Sequence, residues 1–258
     1  YRKDAGYIDN VAGSRTYATS GIVHNNAAFV EKDYNDAETY GARLALGIDL
    51  DDNWTIRPTL MGQVQKSNGS YAQERQLPKY QTMQFNPEGS KDKWYQAGLT
   101  IEGKIGNFDL TYAGGYLRRK DKTQSDYSDY AYFYDAIAGY GAYFTDNNGN
   151  YVSPNQYIQG KDSYRKYFQE FRISSPQENR FRVIAGLFWQ RQAHNIEQNY
   201  IIDNIADAIT VPGTESDIWF TKQLRKDRDA AIFGEASFDV TDKLTMTGGL
   251  RLYKYKNS

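Results

Sequence analysis

An antiparallel transmembrane β-barrel is the fold class that this sequence predicts, and three observations predict it. Apolar and polar residues alternate with period two over bilayer-length segments. These segments come in pairs joined by tight polar turns, and long polar connections separate the pairs at the opposite end. About eight strands are legible in this way, an all-β wall with short turns at one rim and long loops at the other.

The first pair runs from Glu38 to Lys66. Tyr40, Ala42, Leu44, Leu46, Ile48 and Leu50 share a face, Asp51-Asp52-Asn53 turns the chain, and Trp54, Ile56, Pro58, Leu60, Gly62 and Val64 continue that face. Arg57, Thr59, Gln63 and Gln65 take the other. The second pair sets Tyr95, Ala97, Leu99 and Ile101 against Gln96, Gly98, Thr100 and Glu102. It turns near Gly106-Asn107 and returns through Phe108, Leu110, Tyr112, Gly114 and Tyr116. The third is less regular. Phe171 and Ile173 lead into Pro176-Gln177-Glu178-Asn179, and Phe181, Val183, Ala185, Leu187 and Trp189 follow, with Ile184 and Phe188 making the second face less polar. The fourth is the clearest: Ile232 to Val240 and Leu244 to Leu252 alternate around the turn Thr241-Asp242-Lys243.

Each strand reaches the roughly 9 to 11 residues that cross a tilted bilayer. The polar connections are expected at residues 67–92, 123–163 and 192–228. Short periplasmic turns and long extracellular loops have this asymmetry, whereas a β-sandwich would not normally gather its long loops at one end. Mean hydropathy of -0.77 does not oppose a barrel, because only alternate residues face lipid. No apolar run of about 18 residues offers a transmembrane helix. The 23 Tyr, 12 Phe and 4 Trp suit interfacial girdles, with Trp54, Phe108 and Tyr95 near strand ends, or the core of a soluble β protein. The opening Tyr1-Arg2-Lys3-Asp4 has no apolar leader, and unpaired strand edges are costly in lipid, so both termini are expected to be cuts through a longer protein.

Chemistry is sparse. With no cysteine, disulfides and thiolate metal sites are excluded, and a net charge of -1 gives no electrostatic case for nucleic acid. His24 and His194 are the only histidines and have no metal-ligand spacing; Asp146-Asn147-Asn148-Gly149-Asn150 places its glycine wrongly for an EF-hand and reads as a solvated turn. There is no P-loop, nucleophile elbow or dinucleotide fingerprint, so no enzyme, catalytic residue, cofactor or metal is expected. Glu102, Glu235 and Asp239 read as wall residues on the inner face.

Several phrases resemble the barrels of TonB-dependent outer-membrane receptors. They are FGEASFDVTDKLTMTGGLR from Phe233 to Arg251, GYIDNV from Gly6 to Val11, DKWYQAGLTIEGKIGNFDLTYAGGY from Asp92 to Tyr116, SDYSDY from Ser125 to Tyr130, and RFRVIAGLFWQRQ from Arg180 to Gln192. In order and spacing they extend along essentially the whole chain. The resemblance implies a barrel of roughly 22 strands closed by an N-terminal plug, in which import is energised through a motif that contacts TonB. Residues 1–258 then form part of the barrel domain, with plug and remaining strands lying elsewhere. The implied function is import of a scarce nutrient, a ferric siderophore first, across the outer membrane of a Gram-negative bacterium. Cobalamin or carbohydrate would use the same wall. A passive porin, an outer-membrane enzyme and a soluble β-rich binding module are the alternatives.

Between Ser125 and Phe144 the chain concentrates Tyr127, Tyr130, Tyr132, Phe133, Tyr134, Tyr140, Tyr143 and Phe144, with Arg118, Arg119, Lys120 and Lys122 just before them. Aromatic faces and cations together suit an anionic chelate. The resemblance makes extracellular loops a ligand vestibule, so Arg118, Arg119, Tyr127, Tyr130, Tyr132, Phe133, Tyr134 and Tyr140 are the candidate ligand-binding residues. Against this, Tyr127, Tyr130, Tyr134 and Ile137 have helical spacing and would equally pack a loop helix. The basic run would equally face lipopolysaccharide or plain solvent.

Overall fold

The computed structural model describes residues 1–258, and eight long strands run through it in one antiparallel sheet that follows chain order. They are β1 (Ala37–Ala45), β2 (Trp54–Asn68), β3 (Gly89–Ile105), β4 (Phe108–Asp126), β5 (Gln156–Ser174), β6 (Phe181–Ile202), β7 (Asp217–Thr241) and β8 (Leu244–Asn257). β1 is interrupted at Leu46-Gly47 and resumes as Ile48–Asp51, still against β2. A short strand, Arg2–Asp4, pairs with the start of β1, Arg2 opposite Thr39. The sheet is open, with β8 at one edge.

Register makes period-two alternation continuous across the sheet. Pro58, Leu99 and Gly114 lie in one row, and Leu187 stands opposite Ile232. The apolar face therefore stays apolar from strand to strand. Nothing in the chain covers it: Leu44, Leu60, Leu187, Ile232 and Leu250 are all exposed. The other face is tied by ion pairs such as Arg182 with Asp239 (2.5 and 2.7 Å) and Arg57 with Glu102. In the third hairpin that face is less polar for a local reason. The Arg251 guanidinium lies 5.2 Å from the Phe188 ring centroid and 5.7 Å from that of Phe233, so these rings are cation partners. Gly186 admits the Phe233 ring, which would lie 2.4 Å from an added Cβ.

The tight turns fall where the alternation breaks. Asp51 accepts the amides of Asn53 (2.8 Å) and Trp54 (2.9 Å), and Gly106 takes φ +59. At the other rim the strands continue further than their hydrophobic pattern. The connections expected at 67–92, 123–163 and 192–228 shrink to residues 69–88, 127–155 and 203–216. Near this end, apolar alternation gives way to charged alternation, as in Lys91-Asp92-Lys93 and Lys120-Asp121-Lys122, while main-chain pairing persists. Hydrophobic periodicity vanishes there, but the ladder does not.

Burial is confined almost wholly to the loop rim. Ile8, Tyr17, Tyr34, Phe85, Ala131, Phe144, Ile202 and Ile205 are buried in loops or at adjoining strand ends, and Ala231 is the one buried hydrophobic residue well inside the wall. The wall has no core of its own, so its apolar face requires an apolar medium. Leu99→Arg on that face is expected to destabilise the assembled full-length protein by about 2–4 kcal/mol, and Thr100→Arg on the other face by much less. Urea titration in lipid vesicles measures both; equal costs would refute the assignment of faces.

Candidate functional site at the loop rim

The connection between β4 and β5 carries the aromatic-rich segment, and its centre is a helix, α1 (Ser128–Ala138). Asp126, at the end of β4, starts the helix by accepting from the Ser128 amide (3.0 Å) and hydroxyl (2.9 Å). The same carboxylate accepts from the Phe85 amide and the Asn86 side chain, both 2.7 Å, and so ties a second loop to the helix. Gly139 ends α1 in the left-handed region (φ 64, ψ 37), where glycine carries no Cβ penalty, and its amide donates to Asp135 and Tyr134 carbonyls. Asp135 is buried and accepts from Thr19 (3.2 Å) and Gly141 (2.7 Å). Burial works to raise its pKa, but these hydrogen bonds outweigh burial and hold it below the ordinary carboxylate value.

Residues 5–36 form a long excursion between the short strand and β1, locked beneath this helix by asparagine side chains. The Asn35 carbonyl accepts the Tyr7 and Ile8 amides at 2.8 Å. Asn10 accepts from the Gln84 amide and donates to the Phe29 carbonyl, both 2.7 Å, while Asn26 donates to the Val11 carbonyl (2.8 Å). Asn86 and Asn155 exchange hydrogen bonds across two further loops. Each of these amides is buried, and those of Asn10, Asn26, Asn35 and Asn86 satisfy main chain in the loops or at an adjoining strand end. Arg15 completes the seam: it pairs with Asp129 on α1 and lies 4.5 Å from the Phe85 ring centroid and 5.3 Å from that of Tyr132.

The sequence-predicted site residues separate into three groups. Tyr127, Tyr130 and Tyr134 form a ladder along α1, with ring centroids 4.9 Å apart (stacked) and then 4.5 Å; Phe133 meets Tyr134 edge-on at 5.3 Å. Tyr130, Phe133 and Tyr134 are exposed, Phe133 most at 57%. Tyr132 points to the other side, where it meets Tyr17 edge-on (6.0 Å) and stays as exposed as Tyr130. Tyr140 is half-buried and packs on Phe144 at 4.9 Å, and burial pushes its hydroxyl up to about 12. Helical spacing thus organises the ladder and leaves Tyr130, Phe133 and Tyr134 exposed on its side, with Tyr132 exposed on the other.

Arg118 and Arg119 are not beside this ladder. Both lie on β4, and nine strand residues place Arg118 roughly 30 Å from Tyr127. Alternation sends them to opposite faces: Arg119 pairs with Asp92 on the polar face (2.8 Å), and Arg118 shares the face of Tyr116. Adjacency in sequence misled here because extended backbone separates residues faster than a loop would. The asparagine network escaped sequence reasoning altogether; its signals are the phrases Phe85-Asn86-Pro87 and Ser153-Pro154-Asn155, short amides beside turn-forming proline. The Asp146 run is a solvated turn, in which the aspartate accepts from the Asn148 (2.8 Å) and Asn150 (2.9 Å) amides.

Solved structures contain a wall of this fold. The ferric yersiniabactin uptake receptor FyuA from Yersinia pestis superposes with a TM-score of 0.71 at 10% identity, over 99% of this chain and 33% of that one. The ferric citrate transporter FecA matches with 0.64 at 10% identity, over 99% and 34%. The fold is that of a TonB-dependent receptor barrel. A RagAB peptide importer in its open-open state is a weaker match, 0.51 at 10% identity over 86% of this chain and 28% of that one. The chain thus spans about a third of the length of FyuA and FecA. No family model matches, and no curated protein does. No helix is long and apolar enough to cross a membrane, which says nothing of crossing by strands.

Two expectations test the loop rim. Asp126→Ala removes the acceptor of Phe85, Asn86 and Ser128, and should lower the local opening free energy at Phe85 and Ser128 by at least about 3 kcal/mol, read by hydrogen exchange. His24, half-buried against Phe85 and 3.2 Å from the Ser153 hydroxyl, is held below its ordinary value by burial, against the pull of Asp126 and Asp203. The folded state then binds the proton less readily than the unfolded chain. Its contribution is complete above about pH 6.5 and is lost as pH falls toward the depressed folded value. Exchange protection over residues 17–26, corrected for intrinsic rate, should fall between pH 7.5 and 5.5 and stay flat in His24→Asn.

Proposed function

We propose that this chain is part of an outer-membrane importer of a Gram-negative bacterium, which captures a scarce nutrient, first of all a ferric siderophore, at its loop rim. The observation that carries the reading is the uncovered ladder of Tyr130, Phe133 and Tyr134 standing on a barrel wall of this fold. FyuA and FecA, which share the wall, are named for ferric ligands. The rings offer flat π surface to a chelate, the wall's polar face would guide it inward, and a plug domain pulled through TonB would open the path. No bond is made or broken in the ligand. Residues 1–258 would serve as barrel wall, with lipid and lipopolysaccharide against the apolar face.

The structure sharpens which side chains to change. Tyr130→Ser, Phe133→Ser and Tyr134→Ser combined should leave barrel assembly intact and lower whole-cell binding of the cognate ferric siderophore about tenfold, or ~1.4 kcal/mol. Tyr132→Ser, which loses the contacts to Tyr17 and Arg15 on the other side of α1, should instead loosen residues 5–36 and lower binding less than the triple variant. Unchanged binding and uptake by the triple variant at normal surface abundance would refute the capture role.

A further inference from the structure

Three short stretches, Lys91-Asp92-Lys93, Lys120-Asp121-Lys122 and Lys161-Asp162-Ser163, occupy β3, β4 and β5 and stand in register: Asp92, Asp121 and Asp162 form one row. Period-two alternation sorts their charges by face. The aspartates go to the polar face, where Arg119 pairs with Asp92 and His194 contacts Asp162 at 3.0 Å. The lysines all go to the face of Leu99, Tyr95 and Tyr116. There Lys66, Lys91, Lys122 and Lys161 follow one another across four strands, and Lys93 stands opposite Lys120 in the next row. Arg118 and Arg165 make a third row. A nearly neutral chain thus carries a wall polarised across its thickness.

Like charges placed directly opposite in a sheet are destabilising, since their Cβ atoms are only about 5 Å apart. Here that cost is taken three times in succession along the row of four lysines. Only Lys161 has a carboxylate partner, Glu197 at 3.5 Å; Lys66, Lys91, Lys93, Lys120, Lys122, Arg118 and Arg165 make no ion pair. The position of the row is equally specific. Immediately below it, toward the turns, a file of tyrosines crosses the same face, Tyr95 to Tyr116 at 5.8 Å and Tyr116 to Tyr167 at 4.7 Å. Tyrosines of this kind mark the level where hydrocarbon meets head groups, so the lysines stand at head-group height and slightly beyond. Two open grooves lie between them, of about 380 and 670 Å³. Lys66, Lys91, Lys122 and Lys161 line the first, with Glu88 at its rim; Arg118, Lys120, Lys161 and Lys222 line the second, with Glu197.

We propose that this outward basic belt binds the phosphorylated head group of an outer-leaflet glycolipid, the phosphates seated among Lys66, Lys91, Lys122 and Lys161 and the acyl chains lying against the apolar face below. The idea rests on the outer-membrane reading above, but not on nutrient capture. Phosphate offers doubly charged, multi-acceptor oxygens that relieve adjacent ammonium groups as no single surface carboxylate here does. Tyrosines below and lysines above hold such an amphiphile at both ends. A lipid anchored there would also brace the stretch of wall that rises to the loop rim.

Native mass spectrometry of the full-length protein in phosphatidylcholine nanodiscs, titrated with diphosphoryl lipid A, tests this. Wild type should retain lipid A at least tenfold better than fully dephosphorylated lipid A, and the preference should shrink at high salt. Lys66→Gln, Lys91→Gln, Lys122→Gln and Lys161→Gln combined should abolish that preference, and the four lysine-to-arginine changes should keep it. Removing four charges elsewhere, at Lys32, Lys79, Lys104 and Lys243, should leave it intact. Equal retention of phosphorylated and dephosphorylated lipid by wild type would overturn the proposal whether or not any variant assembles. Displacement of lipid A by millimolar inorganic phosphate would also overturn it, by showing a free-anion site. Siderophore uptake is not measured, so failure here leaves the import reading untouched, and failure of that reading leaves this result standing.

Discussion

Antiparallel register carried from strand to strand is the constraint on which the rest of this structure depends. Main-chain groups surrounded by hydrocarbon must find partners in neighbouring strands, because no water is there to accept them. Of 163 backbone hydrogen bonds, 130 lie within strands and helices, and β5 and β6 pair without a break from Gln156 opposite Ile202 to Ser174 opposite Ile184. A ladder this long leaves each side chain no choice of face. It turns a one-dimensional alternation into two surfaces, which accounts together for the exposed leucines, the inner ion pairs and the split of Lys-Asp-Lys into an outer cation row and an inner carboxylate row.

At the loop rim the same requirement is met by different means. Four connections leave the ladder there, and their amides and carbonyls need partners that no neighbouring strand supplies. Asparagine supplies them, since one short side chain both donates and accepts. Asn10, Asn26, Asn35, Asn86 and Asn155 stitch residues 5–36 to the loops after β2 and β4. Hydrophobic burial follows in the space so enclosed, around Tyr17, Phe85 and Ala131 on one side and Phe144, Ile202 and Ile205 on the other. The molecule's core is therefore a loop core, positioned by the wall.

Legibility in the sequence followed the physics of each part. The four hairpins were readable because lipid-facing strands must alternate, and their turns because Asp51, Gly106 and Asp242 stand where the alternation fails. The upper halves of β4 to β7 were not, because charge alternation above the aromatic file has no hydropathy signature. Helical spacing of Tyr127, Tyr130 and Tyr134 indicated α1. Which ring meets residues 5–36 was beyond the sequence, since Tyr132 contacts Tyr17 and Arg15 from more than a hundred positions away. Arg118 and Arg119 fell at a distance for the converse reason: the strand that carries them runs on to Asp126, past residue 123 where the connection was expected to begin.

Strand length itself has a consequence. β6 has 22 residues, which extend roughly 73 Å, and at a tilt of about 40° rise more than 50 Å. An apolar band of about 25 Å uses half of that height. The remainder is a palisade standing clear of the lipid, with carboxylates and glutamines along its inner side and the tyrosine ladder at its crest. In the import proposed above, a solute arriving from outside would shed bulk water at the crest and exchange it for side-chain partners over several nanometres before reaching the depth of the hydrocarbon. Dehydration would then be a graded descent instead of a single step, and the rate of entry would be set by the steepest increment along the palisade.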